Sequence, residues 1–301
     1  MFWQNRKKNS NDFFEKIPPV LYPIYLKKIY KEKMGHSLNL RNPKLFTEKI
    51  QWLKLYDNLP IKATLADKLL VRDYATEKIP EIKFPQVYTI ADCFEKLDFS
   101  ICPDKFVIKT NHAWRQHVFI ENKEKMLNSK DNLKYKIIKN AFNRYLEKNH
   151  AFQSGFELQY KNINRKVYVE ENICDSFSNY DLNYKVHCFN GKPMFIDYYK
   201  VIVDKAQESS YITIYDTEWK KLDFCHSEQP YLGEAIDAPV VLPKMLEFSK
   251  ILSRDFKYVR VDFMLKGEDI YLSEMTFTPS SGFMTFNPVK YDEIWGNLLK
   301  L

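Results

Sequence analysis

Glycine is scarce in this sequence. There are 7 glycines in 301 residues, where average usage of roughly 7% would give about three times as many. A fold that relies on several glycine-rich phosphate loops is therefore disfavoured, because such loops need backbone with positive φ and close approach to the ligand. No apolar run approaches the roughly 18 residues that a membrane-spanning helix needs. The first residues, Met1-Phe-Trp-Gln-Asn-Arg-Lys-Lys8, lack the apolar stretch of a secretory leader, and the expectation is a cytoplasmic protein. Cys93, Cys102, Cys174, Cys188 and Cys225 are odd in number and show neither Cys-x-x-Cys nor zinc-like spacing. They read as free thiols in a reducing compartment. Internal repeats, low-complexity linkers and Arg-rich blocks are also missing, so nothing points to a nucleic-acid partner.

What is present is globular. Hydrophobic residues make up 45% and charged residues 28%, and the length suits two or three packed lobes. The net charge of +7 suits an acidic polymer or another anionic partner. Tyr22 to Met34 alternates apolar and Lys positions at helical spacing. That pattern fits a helix lying peripherally on the inner face of an anionic membrane, or more simply one docked on the protein's own surface.

The periodicity predicts helices beginning near Asn42-Pro43 and over 63–77, 131–148 and 243–254, with strands at 84–90, 106–110, 117–121, 165–173 and 211–216. Asn190-Gly191 separates strands at 184–189 and 193–198, a strong hairpin signal because both residues tolerate φ > 0. A second hairpin joins 257–265 to 269–277 around Lys266-Gly267-Glu268. Helices, then mixed elements, then antiparallel hairpins argue for an α+β class.

The second hairpin carries the chemistry. With a turn about Gly267, residue 262 pairs with about 272 and residue 260 with about 274. Arg260, Asp262, Glu274 and Thr276 then share one face, and the two carboxylates are diagonal neighbours. Two carboxylates with a hydroxyl beside them suit Mg²⁺, a hard cation that takes oxygen ligands. The alternative is a cross-strand Arg260–Glu274 ion pair on a solvated face. The polar stretch Met275-Thr-Phe-Thr-Pro-Ser-Ser-Gly-Phe283 is what a phosphate or substrate loop would use.

Val259-Arg-Val-Asp262, followed by Glu274-Met-Thr-Phe-Thr-Pro-Ser-Ser-Gly-Phe283, resembles the metal-binding end of the ATP-grasp superfamily, and more closely its TupA-like branch, found in bacterial teichuronopeptide and capsule clusters. Asn42-Pro-Lys-Leu-Phe-Thr-Glu-Lys-Ile-Gln-Trp-Leu-Lys-Leu-Tyr56, Ala66-Asp67-Lys68, Val71-Arg72, Phe106-Val-Ile-Lys109, Asn111-His112, Glu157 to Tyr160, Val169-Glu-Glu171, Tyr184-Lys185 and Cys188-Phe-Asn-Gly-Lys192 extend the likeness in order. The resemblance implies an ATP-grasp fold, two α+β lobes gripping a nucleotide. A helical N-terminal region over 1–80 would precede a small lobe over 81–165 and a C-terminal lobe over 166–301.

It also implies roles. Lys109 would meet the ATP phosphates, with Asn111, His112 and Arg115 beside it, and Lys185 would be the second phosphate-side lysine. Glu170 and Glu171 would border adenine and ribose. Asp262, Glu274 and Thr276 would hold Mg²⁺, while Arg260 and Lys185 would stabilise the transition state. The implied reaction is ATP-dependent ligation of an amine or amino acid to an acidic glycan or sugar carboxylate in surface polysaccharide (capsule, teichuronopeptide or O-antigen) biosynthesis. A glycosyltransferase or kinase of the same pathway, or a glycan- or nucleotide-binding protein, is the alternative. One departure stands out: the branch's glycine-rich lid is replaced by Ala113-Trp-Arg-Gln-His117.

Overall fold

The structure is a computed structural model that describes residues 13–128, 133–173, 180–204, 207–226 and 235–301. Cys174, residues 1–12 and the start of the helix expected at 131 lie outside them. Helix α1 (Tyr22–Met34) ends where Gly35 turns left-handed at φ 79° and its N–H bonds the Lys31 carbonyl, a glycine C-cap. Tyr22, Leu26 and Tyr30 recur every four residues and pack on Phe152 and Phe156. The apolar face of this helix is thus turned to the protein itself. In α2 (Phe46–Tyr56), Glu48 accepts the N–H of the N-cap Leu45, closing a donor that a helix start leaves open, and those of Lys44 and Asn39 in the loop before it.

The helix expected over 63–77 is two helices, α3 (Ile61–Ala66) and α4 (Val71–Lys78). Asp67 breaks it. Its backbone is extended, and its carboxylate accepts the N–H groups of Leu69 at 2.8 Å and Leu70 at 3.3 Å. A short acidic side chain here outcompetes the helical backbone, which the apolar spacing could not reveal.

The small sheet contains β1 (Val87–Ala91), β2 (Phe106–Thr110), β3 (His117–Ile120) and, after α5 (Lys123–Asn128) and α6 (Leu133–Glu147), β4 (Val167–Glu171), in the order β1-β4-β2-β3. Because β4 pairs into this sheet, the boundary expected at 165/166 falls before its last strand; non-local pairing overrides the chain order. Phe106, Ile108, Val167 and Val169 pack under α6. By strand alternation Val107, Lys109, Tyr168 and Glu170 point the other way.

The larger sheet takes β5 (Tyr180–Phe189), β6 (Lys192–Asp204) and β7 (Gln207–Asp216). After β8 (Cys225–His226) and α7 (Leu242–Ser253) it adds β9 (Tyr258–Lys266) and β10 (Asp269–Thr276), in the order β10-β9-β5-β6-β7. Asn190 and Gly191 both take positive φ, 51° and 75°, as the hairpin reading requires. Val186, Ile196, Val261 and Leu272 pack against Met245 and Phe248 of α7. On the opposite side, Phe46 of α2 and Trp295 of α8 (Lys290–Leu298) cover part of the sheet, and β11 (Phe286–Asn287) pairs with β8.

The second hairpin differs in register from expectation. Leu272 pairs with Phe263, but Glu274 pairs with Asp262 and Thr276 with Arg260, because a bulge at Ser273 intervenes. The carboxylates are therefore directly opposite, not diagonal. Were Ser273 paired regularly, Glu274 would follow Ile270 and Leu272 into the core. The extra residue rotates it onto the face of Asp262.

Candidate active site

The open face of the larger sheet meets the free face of the small sheet in a cleft of about 200 Å³. Lys109 and Glu170 come from the small sheet, Lys185, Asp262 and Glu274 from the larger one, and all five side chains line this cleft. Glu274, Asp262 and Lys185 stand in one row across β10, β9 and β5, since Glu274 pairs with Asp262 and Asp262 with Lys185. Lys185 also lies 3.9 Å from the Tyr199 ring centroid, and burial lowers its pKa.

Arg260 sits behind the carboxylates rather than on the cleft. Its Nε and Nη2 donate to the two oxygens of Asp262 at 2.7 and 2.6 Å, and Nη2 also reaches Glu274 at 3.3 Å and Thr276 Oγ1 at 3.2 Å. Burial disfavours the guanidinium charge, but Asp262 and then Glu274 outweigh it and hold Arg260 ionised. This differs from the expected role: Arg260 is bonded to the carboxylates and is not among the residues that line the cleft. Thr276 is likewise displaced from the expected ligand set. Its hydroxyl bonds Glu274 Oε1 at 3.1 Å from behind, so it positions Glu274. The ion pair weighed against a metal site is present as well, so the two readings describe one cluster.

Burial pushes the Asp262 carboxyl up. Burial would do the same to Glu274, yet Lys68, Arg260 and Lys185 outweigh it and hold that carboxyl well below the usual range. Two carboxylates on adjacent strands are the hard oxygen donors that Mg²⁺ takes, and Asp262 with Glu274 fits that requirement.

Glu170 is buried and gripped twice, by Lys109 at 2.5 Å and Arg72 at 2.6 Å. Glu171 lies at the rim with looser contacts, 3.5 Å to Lys266 and 3.4 Å to the Gln86 N–H. Asn111 and His112 are off the cleft. The Asn111 amide donates to Asp67 at 2.7 Å and to the Asn164 carbonyl at 2.9 Å, and its oxygen accepts the Lys166 N–H at 2.8 Å. His112 Nε2 lies 3.2 Å from the Tyr145 carbonyl, and burial lowers its pKa to about 3. Both residues anchor the loop after β2 and are not among those that line the cleft; the Asn-His motif marks the loop's root.

The segment that replaces the glycine-rich lid is a short, pinned turn. Thr110 bonds Gln116 through backbone at 3.1 Å and side chains at 2.7 Å. Arg115 takes φ 54° and lies 4.5 Å over the Trp114 ring. Both line the cleft, and Trp114 is 62% exposed. The polar stretch after Glu274 lies elsewhere. Thr278 and Ser281 donate to Glu157, and Gln51 and Lys54 donate to the Ser281 carbonyl. It docks the N-terminal region rather than lining the cleft.

Lys68 and Arg72, which the sequence marks only as parts of a motif, both line the cleft. Their spacing of four residues on a supposed helix was the available signal, but the break at Asp67 is what aims Lys68. A second polar cluster is buried on the same sheet face. His187 Nε2 and His226 Nε2 lie 2.8 and 3.0 Å from the two oxygens of Asp197, and His187 Nδ1 lies 2.7 Å from the Tyr258 hydroxyl. These are hydrogen-bond distances, and they satisfy a carboxylate that burial would otherwise strand.

The sequence profile of the family described as TupA-like ATPgrasp matches residues 48–300. No curated protein matches the chain. Among solved structures, the chain is similar to D-alanine–D-alanine ligase from Bacillus anthracis complexed with ATP, at 15% identity and TM-score 0.39, covering 71% of this chain and 53% of that one. It is also similar to the Helicobacter pylori D-alanine–D-alanine ligase, at 15% identity and TM-score 0.38, covering 78% and 61%. A third is N5-carboxyaminoimidazole ribonucleotide synthetase from Thermus thermophilus, at 12% and 0.35, covering 71% and 45%. The chain spans about half the length of these proteins.

Proposed function

The chain belongs to the TupA-like ATP-grasp family, with the ATP-grasp fold that this entails, and from that premise we propose that it is an ATP-dependent carboxylate–amine ligase. The observation that carries the reading is convergence. Lys109, Lys185 and the Asp262–Glu274 pair come from three distant segments and line one cleft. Five cationic side chains and four carboxylates line it, with Arg260 directly behind, an excess of positive charge that suits a nucleotide polyphosphate.

Asp262 and Glu274 would hold Mg²⁺, which when bound neutralises phosphate charge and orients the leaving group. Lys109 and Lys185 would flank the phosphates from the two lobes as point charges. A substrate carboxylate oxygen attacks the γ-phosphorus, the bond to ADP breaks, and an acylphosphate forms. An amine then attacks the acyl carbon; the C–N bond forms, phosphate leaves with the C–O bond's electrons, and the amine loses a proton. Glu171, the less committed of the two rim carboxylates, would meet the ribose. The acceptor is a sugar carboxylate or acidic glycan of surface polysaccharide synthesis, and the net charge of +7 supports an acidic substrate.

The experiment is a thermal-shift titration with ATP, with and without Mg²⁺, followed by an ¹⁸O-labelled uronic-acid acceptor and an amino acid. Stabilisation that needs both ATP and Mg²⁺, with ¹⁸O appearing in released phosphate, supports the ligase. Mg²⁺-dependent nucleotide binding without any phosphate release would favour a binding protein. The pinned turn and the neutralised Lys109 are the features that reading would rest on.

A further inference from the structure

Lys68 stands where three parts of the molecule meet. The break at Asp67 lets the Lys68 N–H bond the Asn111 carbonyl at 3.0 Å, at the root of the pinned turn. Its ammonium lies 2.9 Å from the Ala113 carbonyl, on that turn, and 3.0 Å from Glu274 Oε2, on the larger sheet. One side chain from the N-terminal region thus ties the small lobe's turn to the far wall of the cleft. The cleft it spans holds about 200 Å³, below the roughly 300–1,000 Å³ of sites that bury a drug-sized ligand, so room for a nucleotide would come from parting its walls.

The contacts of Glu274 say which tie would move. Oε1 is engaged by Arg260 and Thr276, and Oε2 by Lys68. Arg260 is locked by its two bonds to Asp262. Lys68 holds Glu274 by one contact from a flexible stem. A divalent cation that takes Oε2 therefore meets the Lys68 charge at the same oxygen, and like charges at that distance repel strongly in a partly buried site.

We propose that Lys68 is an electrostatic latch: it occupies Glu274 and holds the turn down, a divalent cation displaces it, and the released ammonium meets the substrate's phosphate. The proposal rests on the reading of Asp262 and Glu274 as cation ligands. It makes an unusual demand: removing Lys68 should improve one ligand and harm the other.

The test uses the full chain and Mn²⁺ as a paramagnetic stand-in for Mg²⁺, since carboxylate sites accept both. Free Mn²⁺ is followed by electron paramagnetic resonance without nucleotide, for wild type, Lys68→Met, Lys68→Gln and Glu274→Gln. ATP affinity is then measured separately for each. Lys68→Met and Lys68→Gln should both tighten Mn²⁺ by about tenfold or more, the scale on which one charge within about 6 Å moves an ionisation equilibrium. Both should weaken ATP. A purely structural lysine would weaken both ligands together, and more in Met than in Gln, which keeps a donor for the Ala113 carbonyl. Unchanged or weaker Mn²⁺ binding in both lysine variants, with Glu274→Gln losing it, overturns the latch and leaves the metal site standing. Absence of Mn²⁺ binding from wild type and every variant overturns the latch together with the metal reading beneath it.

Discussion

Arg260 is chelated by Asp262 and also reaches Glu274, so removing a carboxylate leaves a buried guanidinium short of a partner. Asp262→Asn should therefore do two things. It should abolish the Mg²⁺-dependent part of any ATP thermal shift, and it should cost about 3–5 kcal/mol of stability, as breaking a buried pair does. Glu274→Gln should remove the same Mg²⁺ dependence at lower cost, because Glu274 is more exposed than Asp262. Calorimetry with and without ATP–Mg²⁺ checks both; an unchanged Mg²⁺ dependence in the two variants would reduce the cluster to an ion pair. His112 gives a second expectation. Burial lowers its folded pKa to about 3, against roughly 6.5 unfolded. Between those values the unfolded chain takes up a proton that the folded chain refuses, so stability falls as pH drops below about 6.5. His187, lowered by burial to about 4, acts in the same direction. Urea titrations from pH 7 to 5 should show a slope that His112→Gln reduces by about 1 kcal/mol per pH unit.

At the scale of elements, two irregularities carry the site. Asp67 splits a helix and turns Lys68 inward. Ser273 forms a bulge and turns Glu274 outward from the core. The second makes a clean test, because a bulge is a matter of residue count rather than of side chain. Ser273→Ala should stay within about 0.5 kcal/mol of wild type, as surface substitutions away from special features do. Deleting Ser273 should remove the bulge and leave every face as it is, because Leu272 and Glu274 already oppose the consecutive residues Phe263 and Asp262. Chemical denaturation should then show a loss well below about 3 kcal/mol, the scale of a buried charge without its partner. A larger loss would mean that the bulge's own geometry, not the pairing on either side of it, keeps Glu274 out of the core.

At the scale of the whole molecule, α2 and α8, far apart in the chain, clasp each other over the larger sheet. Thr47 gives its N–H and hydroxyl to Asp292, at 2.9 and 2.7 Å. Lys49 caps the carbonyls of Gly296 and Leu299, both at 2.7 Å. A Cβ on Gly296 would lie 2.0 Å from the Lys44 carbonyl oxygen and 2.9 Å from the Phe46 nitrogen. Backbone cannot yield as a flexible side chain can. Gly296→Ala should therefore cost at least about 1–3 kcal/mol, the usual penalty of overpacking, seen as a lower urea midpoint. A neutral result would show that α8 docks loosely and that α2 is held by other contacts.

Much of this was legible in the sequence because it is local. Asn190-Gly191 specifies its turn by backbone freedom, and the alternation of Val259, Val261 and Phe263 with Arg260 and Asp262 specifies which residues share a face. The family motifs, taken in order, marked Lys109, Lys185, Asp262 and Glu274 as candidates. Other matters were settled only in three dimensions. The sequence could pair 262 with 272, but the Ser273 bulge sets the true partner, since one residue of slip inverts a strand and only packing against α7 penalises the wrong choice. Asn111, His112, Arg260 and Thr276 carry the same chemistry on paper as the cleft residues. Asp67 and Tyr145, from distant parts of the chain, consume that chemistry for Asn111 and His112, while Asp262 and Glu274, on the same hairpin, do so for Arg260 and Thr276. Lys68 is the converse: an ordinary lysine on an apparent helix, made part of the site by a helix break and by a carboxylate far along the chain. Local sequence determines strand, turn and side-chain type, whereas which groups are left free to act depends on long-range partners, and the fold alone brings those together.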